Sequence, residues 1–118
     1  MPGEPRVHVV IANLMFVERV GRALAALGCR GEPAGSVEAI AAAPGPVVLD
    51  LDHERLDAIQ FLTRLREDSR ARAVPVLAYG SHVHAETLDA ARRLGATAVP
   101  RSAFSSRLHE LLAGLVAS

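Results

Sequence analysis

Two carboxylates and an imidazole stand almost side by side at Asp50, Asp52 and His53, and two more imidazoles follow at His82 and His84. Carboxylate oxygens and imidazole nitrogens are the ligand types that hold Zn²⁺ or a similar ion, provided that three or four of them converge. Asp50 also closes the apolar run Val47-Val48-Leu49, and a carboxylate at the end of a buried strand puts a reactive or metal-binding oxygen at the edge of a sheet. The histidines have a plainer explanation: His82 and His84 precede a helical segment, and His53 is free to face solvent. No metal site is therefore expected, although a metal-binding protein or enzyme built on Asp50, Asp52, His53, His82 and His84 stays open.

Positioning these residues requires a sheet, and the chain supplies its pattern. Short apolar runs alternate with amphipathic segments, which predicts strand then helix, five times over. The strands are expected at Val7 to Ile11, Cys29 to Pro33, Val47 to Leu51, Val74 to Tyr79 and Ala96 to Val99. Phe16, Val20, Ala23, Leu24 and Leu27 recur at helical spacing before Gly28, and Ser36 can cap a short helix through Ala43. Leu56, Ile59, Leu62 and Leu65 mark a third helix, whose start Asp52 and Glu54 would favour through its dipole. Leu88, Ala91 and Leu94 line a fourth, and Phe104, Leu108, Leu111, Leu112 and Leu115 a single long last helix. Such an alternation predicts right-handed crossovers and a parallel sheet covered on both faces. Asn13, the Asp50–Glu54 segment, the Gly80–His84 segment and Arg101-Ser102 then share the carboxyl edge of that sheet, where ligands of open α/β folds bind.

Composition narrows the class. The 118 residues are half hydrophobic, enough for one domain with a real core. The formal net charge is +0, so there is no broad pull toward nucleic acid or an acidic membrane. All basic residues are arginine and none is lysine. Cys29 stands alone, which rules out an intrachain disulfide and suits a reducing cytoplasm. The stretch from Met1 to Arg6 opens no long apolar segment, so neither a signal peptide nor a membrane span is expected. His8 is expected as a hydrogen-bonded core or edge residue, His109 as a solvated one, and Cys29 as a small buried hydrophobe.

The chain resembles a response-regulator receiver domain over nearly its whole length. One matching stretch runs from Val48 to Ala58 and contains Asp50-Leu51-Asp52-His53-Glu54-Arg55-Leu56-Asp57. Another runs from Pro75 through Ala90-Ala91-Arg92-Arg93-Leu94-Gly95-Ala96 to Ser102-Ala103-Phe104. The resemblance implies a flavodoxin-like (βα)5 doubly wound parallel sheet, strand order 2-1-3-4-5, as a single domain without an output domain. It makes Asp50 the phosphoacceptor position and puts Asp57 where the family usually has an acid before glycine.

The departures from the family pattern are chemical. The acidic pair that supports Mg²⁺ after the first strand corresponds to Ile11 and Ala12, whose hydrocarbon side chains offer no ligand. Asp50, Asp52 and backbone carbonyls alone remain for the metal. The lysine that neutralises the transferring phosphoryl group corresponds to Ser102. Arg101 is adjacent, but strand alternation would direct it to the opposite face, and its planar guanidinium poorly copies an ammonium. Gly80 replaces the switching hydroxyl, and Val99 the switching aromatic. A Met-Pro turn common after the phosphoacceptor is absent.

Each missing group is worth on the order of 2 to 4 kcal/mol in a transition state that depends on preorganised charge. The resemblance thus implies a degenerate receiver, or pseudo-receiver: a non-enzymatic signalling module that acts through protein contacts, independently of phosphorylation and without a cofactor. An atypical regulator phosphorylated on Asp50 is the first alternative. By analogy with receiver assemblies, the contact face would be the fourth helix, fifth strand and last helix, with Asp89, Arg92, Arg93, Arg107 and Glu110 available to pair charges in a homodimer. Nucleic acid and membrane are not expected partners.

Overall fold

The computed structural model describes residues 3–118; Met1 and Pro2, the start of the stretch in which no signal peptide is expected, lie outside the described residues. Five strands form one parallel sheet in the order β2-β1-β3-β4-β5: β1 (Arg6–Val10), β2 (Arg30–Pro33), β3 (Val47–Asp50), β4 (Val76–Gly80) and β5 (Thr97–Pro100). Helices α1 (Leu14–Ala26), α2 (Val37–Ala42), α3 (Ala58–Glu67), α4 (Ala85–Arg93), α5 (Arg101–Ser106) and α6 (Leu108–Val116) cover both faces. Val47 to Asp50 and Val76 to Gly80 are buried throughout, as continuous apolar runs in a two-sided parallel sheet should be.

Two hydrophobic layers result. On one face Val10, Val47, Leu49 and Ala78 pack beneath α2, α3 and α4; on the other Val7, Val9, Val48, Leu77 and Tyr79 pack beneath α1, α5 and α6. Alternation along β3 puts Asp50 on the same face as Val48, and Tyr79 is its register partner on β4.

Local chemistry sets the element ends. Asn13 Oδ1 accepts the Met15 and Phe16 N–H groups and Ser36 Oγ accepts that of Ala39, so both helices start on side-chain caps. Gly28 and Gly95 follow α1 and α4 at φ +75° and +84°, the left-handed region open to glycine. His8 is buried and its Nε2–H meets the Ala43 carbonyl at 2.7 Å, which supports the expectation of a satisfied core histidine. Cys29 is buried, and His109 is exposed.

Two expectations need correction. The third helix does not start on Asp52 and Glu54: it begins at Ala58, where Asp57 Oδ1 accepts the Gln60 N–H at 3.0 Å. The last helix is not single. It breaks at Arg107 (φ −118°, ψ 28°), after the weak helix formers Ser105 and Ser106, and Arg19 from α1 takes the Ser105 carbonyl at 3.0 Å. Among the described residues no helix is long and apolar enough to cross a membrane.

Candidate functional site

The carboxyl edge of the sheet carries a pocket of about 220 Å³ lined by Ala12, Asn13, Phe16, Asp50, Asp52, Glu54 and Arg101. Three of the four expected edge segments thus meet around Asp50. The fourth, at Gly80 to His84, joins them through Asp52.

Asp50 is 7% exposed, and its Oδ1 accepts the Asp52 N–H at 2.9 Å. Burial pushes its carboxyl above the ordinary value of 3.8; the Asp52 N–H opposes this, the Asp52 charge adds to it, and Arg101 and His53 oppose it. A raised folded-state value means that this acid contributes stability that is full below about pH 4 and is lost as pH rises from there through the raised folded-state value. Asp50→Asn keeps the acceptor and removes the charge. It is expected to be more stable than the native chain at neutral pH, with the gain vanishing toward pH 3. Denaturant midpoints across that range test this, and a neutral-pH loss would contradict it.

Asp52, rather than Asp50, is the hub of the site. Its Oδ2 accepts the Ser81 N–H at 2.7 Å and an Arg101 Nη2–H at 2.8 Å, and its Oδ1 lies 3.2 Å from His84 Nδ1. One carboxylate therefore ties the β3–α3 loop to the β4–α4 segment and to the start of α5. Arg101 reaches it because it is not a strand residue: β5 ends at Pro100, and Arg101 opens α5, so strand alternation does not govern its direction. This corrects the expectation that Arg101 faces away. Ser102, at the lysine position, is exposed and does not line the pocket.

The other altered positions are equally specific. Ile11 is half-buried against the aromatic layer under α1 and α6, and Ala12 forms pocket wall. A Cβ on Gly80 would lie 3.1 Å from Leu51 Cβ and 3.7 Å from Asp52 Oδ2, so the backbone approach that brings Ser81 to Asp52 favours glycine there. Val99 is half-buried in the same aromatic layer.

The histidine cluster does not assemble. His84 meets Asp52, but His53 Nδ1 accepts the Arg55 N–H and His82 is exposed; among the described residues no three His, Cys, Asp or Glu side chains are grouped to hold a metal ion. Nor does the pocket suit Mg²⁺, which demands near-octahedral oxygen ligation. Both Asp52 oxygens face nitrogen, and the Arg101 guanidinium already supplies positive charge.

On the proposed contact face the charges pair within the chain. Arg92 bonds Asp89 and also donates twice to the Ala98 carbonyl on β5, Arg107 bonds Glu110 at 2.6 Å, and Arg93 is exposed.

The nitrogen-ringed Asp52 had no counterpart in the sequence pattern beyond its place on the edge. Asp57 did: an acceptor three residues before Gln60 is a cap signature.

No family model and no curated protein sequence matches the chain. Solved structures do. The signal receiver domain of a DNA-binding response regulator from Colwellia psychrerythraea 34H gives a TM-score of 0.81 at 16% identity, with 98% of this chain and 100% of that one covered. A response regulator receiver protein from Pseudomonas putida gives 0.77 at 18% identity over 97% and 99% of the two chains. A response regulator from Thermotoga maritima gives 0.75 at 20% identity over 98% and 99%. With the strand order 2-1-3-4-5 and the pocket at its carboxyl edge, the protein has the flavodoxin-like fold of response-regulator receiver domains.

Proposed function

We propose that this protein is a pseudo-receiver: a cytoplasmic signalling module that acts through protein contacts, without phosphorylation of Asp50 and without a catalytic role or cofactor of its own. The observation that carries this is the state of Asp52. The acidic residue nearest the phosphoacceptor position spends its carboxylate on Ser81, Arg101 and His84, and the two positions after β1 that would bring further acids hold Ile11 and Ala12. Phosphoryl transfer relies on preorganised cations around the moving group, and an aspartate deprived of metal ligands has little to offer it. Burial adds to the difficulty by disfavouring the anionic form of Asp50 that must attack.

Contact with a protein partner or a second copy is assigned to the face of α4, β5 and α6, where Arg93 is exposed. The pairing of Asp89 with Arg92 and of Arg107 with Glu110 leaves little charge free there, so shape and apolar contact have to contribute. Nucleic acid and membrane are not assigned as partners, in keeping with the zero net charge.

Acetyl phosphate with Mg²⁺ tests the reading. Intact mass is expected to show no phosphoryl adduct that depends on Asp50. An adduct approaching one per chain, abolished by Asp50→Asn, would overturn it.

A further inference from the structure

The loops at the carboxyl edge are joined through one carboxylate, and one of its partners is a cation that belongs to the chain. Asp52 lies between β3 and α3, Ser81 and His84 between β4 and α4, and Arg101 at the first turn of α5; the Asp52 carboxylate is common to all these contacts. Asp50, Asp52 and Glu54 line the pocket with Arg101 as the only basic residue among its lining. From this arrangement we infer that the Arg101 guanidinium is a tethered substitute for a divalent cation, offsetting the Asp52 charge and tying α5 to the carboxylate that joins the other two loops, in an arrangement that no dissolved ion has to complete. The inference rests on the phosphorylation-independent reading and deepens it, since it states what holds the pocket in place of metal and phosphoryl group.

The physical case has three parts. A guanidinium keeps its positive charge at every physiological pH, so the charge is always present beside Asp52. It is tethered, so it competes with dissolved ions at high effective concentration. A hard cation approaching Asp52 Oδ2 must displace both the Arg101 and the Ser81 N–H groups, and would meet the guanidinium as a like charge. The consequence is a β4–α4 segment held in a fixed form, with Val83 presented 70% exposed at any Mg²⁺ concentration.

The test is an amide NMR titration of the full chain with Mg²⁺, alongside Arg101→Ala and the bulkier Arg101→Gln. In the native chain the Asp52 and Ser81 signals are expected to show no saturable shift. In either variant they should shift saturably, and Ser81 exchange, up to about fivefold faster without Mg²⁺ than in the native chain, should slow again when it is added. Saturable shifts in the native chain would overturn the inference, and so would variants indifferent to Mg²⁺. The native titration reads the question alone if neither variant folds. A native chain that takes up Mg²⁺ but no phosphoryl group would defeat the tethered cation and leave the phosphorylation-independent reading standing.

Discussion

Phe104→Ala is expected to lower the unfolding free energy by about 4 kcal/mol, with the loss read as a fall in denaturant midpoint at unchanged slope. Phe104 is the fully buried residue of α5, stacked on Tyr79 with ring centroids 4.1 Å apart and planes at 13°, and Phe16 from α1 closes on both rings at 5.4 and 6.0 Å. The three rings join the sheet to α1 and α5 immediately behind the pocket, whose wall includes Phe16. Little can collapse into the space left by the central ring, so both transfer and cavity costs apply. Tyr79 gives the opposite sign. Its hydroxyl is buried with no hydrogen-bond partner, and burial followed by the Asp50 charge pushes the phenol upward, keeping it protonated. Tyr79→Phe retains the stack and removes the unmet group, so a gain of about 1 kcal/mol is expected. A loss of similar size would show that the hydroxyl is satisfied in solution.

Arg66→Ala is expected to cost about 3 kcal/mol, although Arg66 touches no carboxylate. Its Nε–H donates to the Leu94 carbonyl at 2.7 Å, and Nη1 donates to the Arg72 and Val74 carbonyls at 3.0 and 2.6 Å. The half-buried guanidinium thus joins the end of α3 to the C-terminus of α4 and to the entry of β4, and burial lowers its pKa without threatening its charge. Carbonyls at the end of a helix are favourable partners for a cation. Arg66→Lys should recover only part of the loss, because an ammonium cannot match the fork that spans three carbonyls. Denaturant unfolding of the three proteins orders them, and an alanine variant as stable as the native chain would refute the clamp.

The strands and their order were legible because a parallel sheet covered on both faces writes itself as unbroken apolar runs, and Val47 to Leu49 and Val76 to Tyr79 are such runs. Strand ends were less so: β4 begins after Pro75 and β5 includes Pro100, which hydrophobicity alone does not mark. The break at Arg107 escaped because the apolar stripe from Phe104 to Leu115 keeps helical phase across it. At the break stand the weak helix formers Ser105 and Ser106 and a contact from a distant residue, Arg19, which takes the Ser105 carbonyl. For the site, the convergence of Asp50, Asp52, Gly80 and Arg101 on one edge followed from topology. Which groups would pair there did not, because Asp52 meets Ser81, His84 and Arg101 across separations of 29, 32 and 49 residues, and such contacts leave no local periodicity. Arg101 is the sharpest case: β5 runs through Pro100 and Arg101 opens α5, so the alternation that governs a strand does not set the direction of its side chain.

Beryllofluoride, which mimics a phosphoryl group on an aspartate supported by Mg²⁺, tests the central claim most directly. Amide spectra of the full chain recorded with and without beryllofluoride and Mg²⁺ are expected to coincide at Asp50, Asp52, Gly80 and Arg101. A new, saturable set of signals at those residues, lost in Asp50→Asn, would show a working phosphoacceptor and contradict the account.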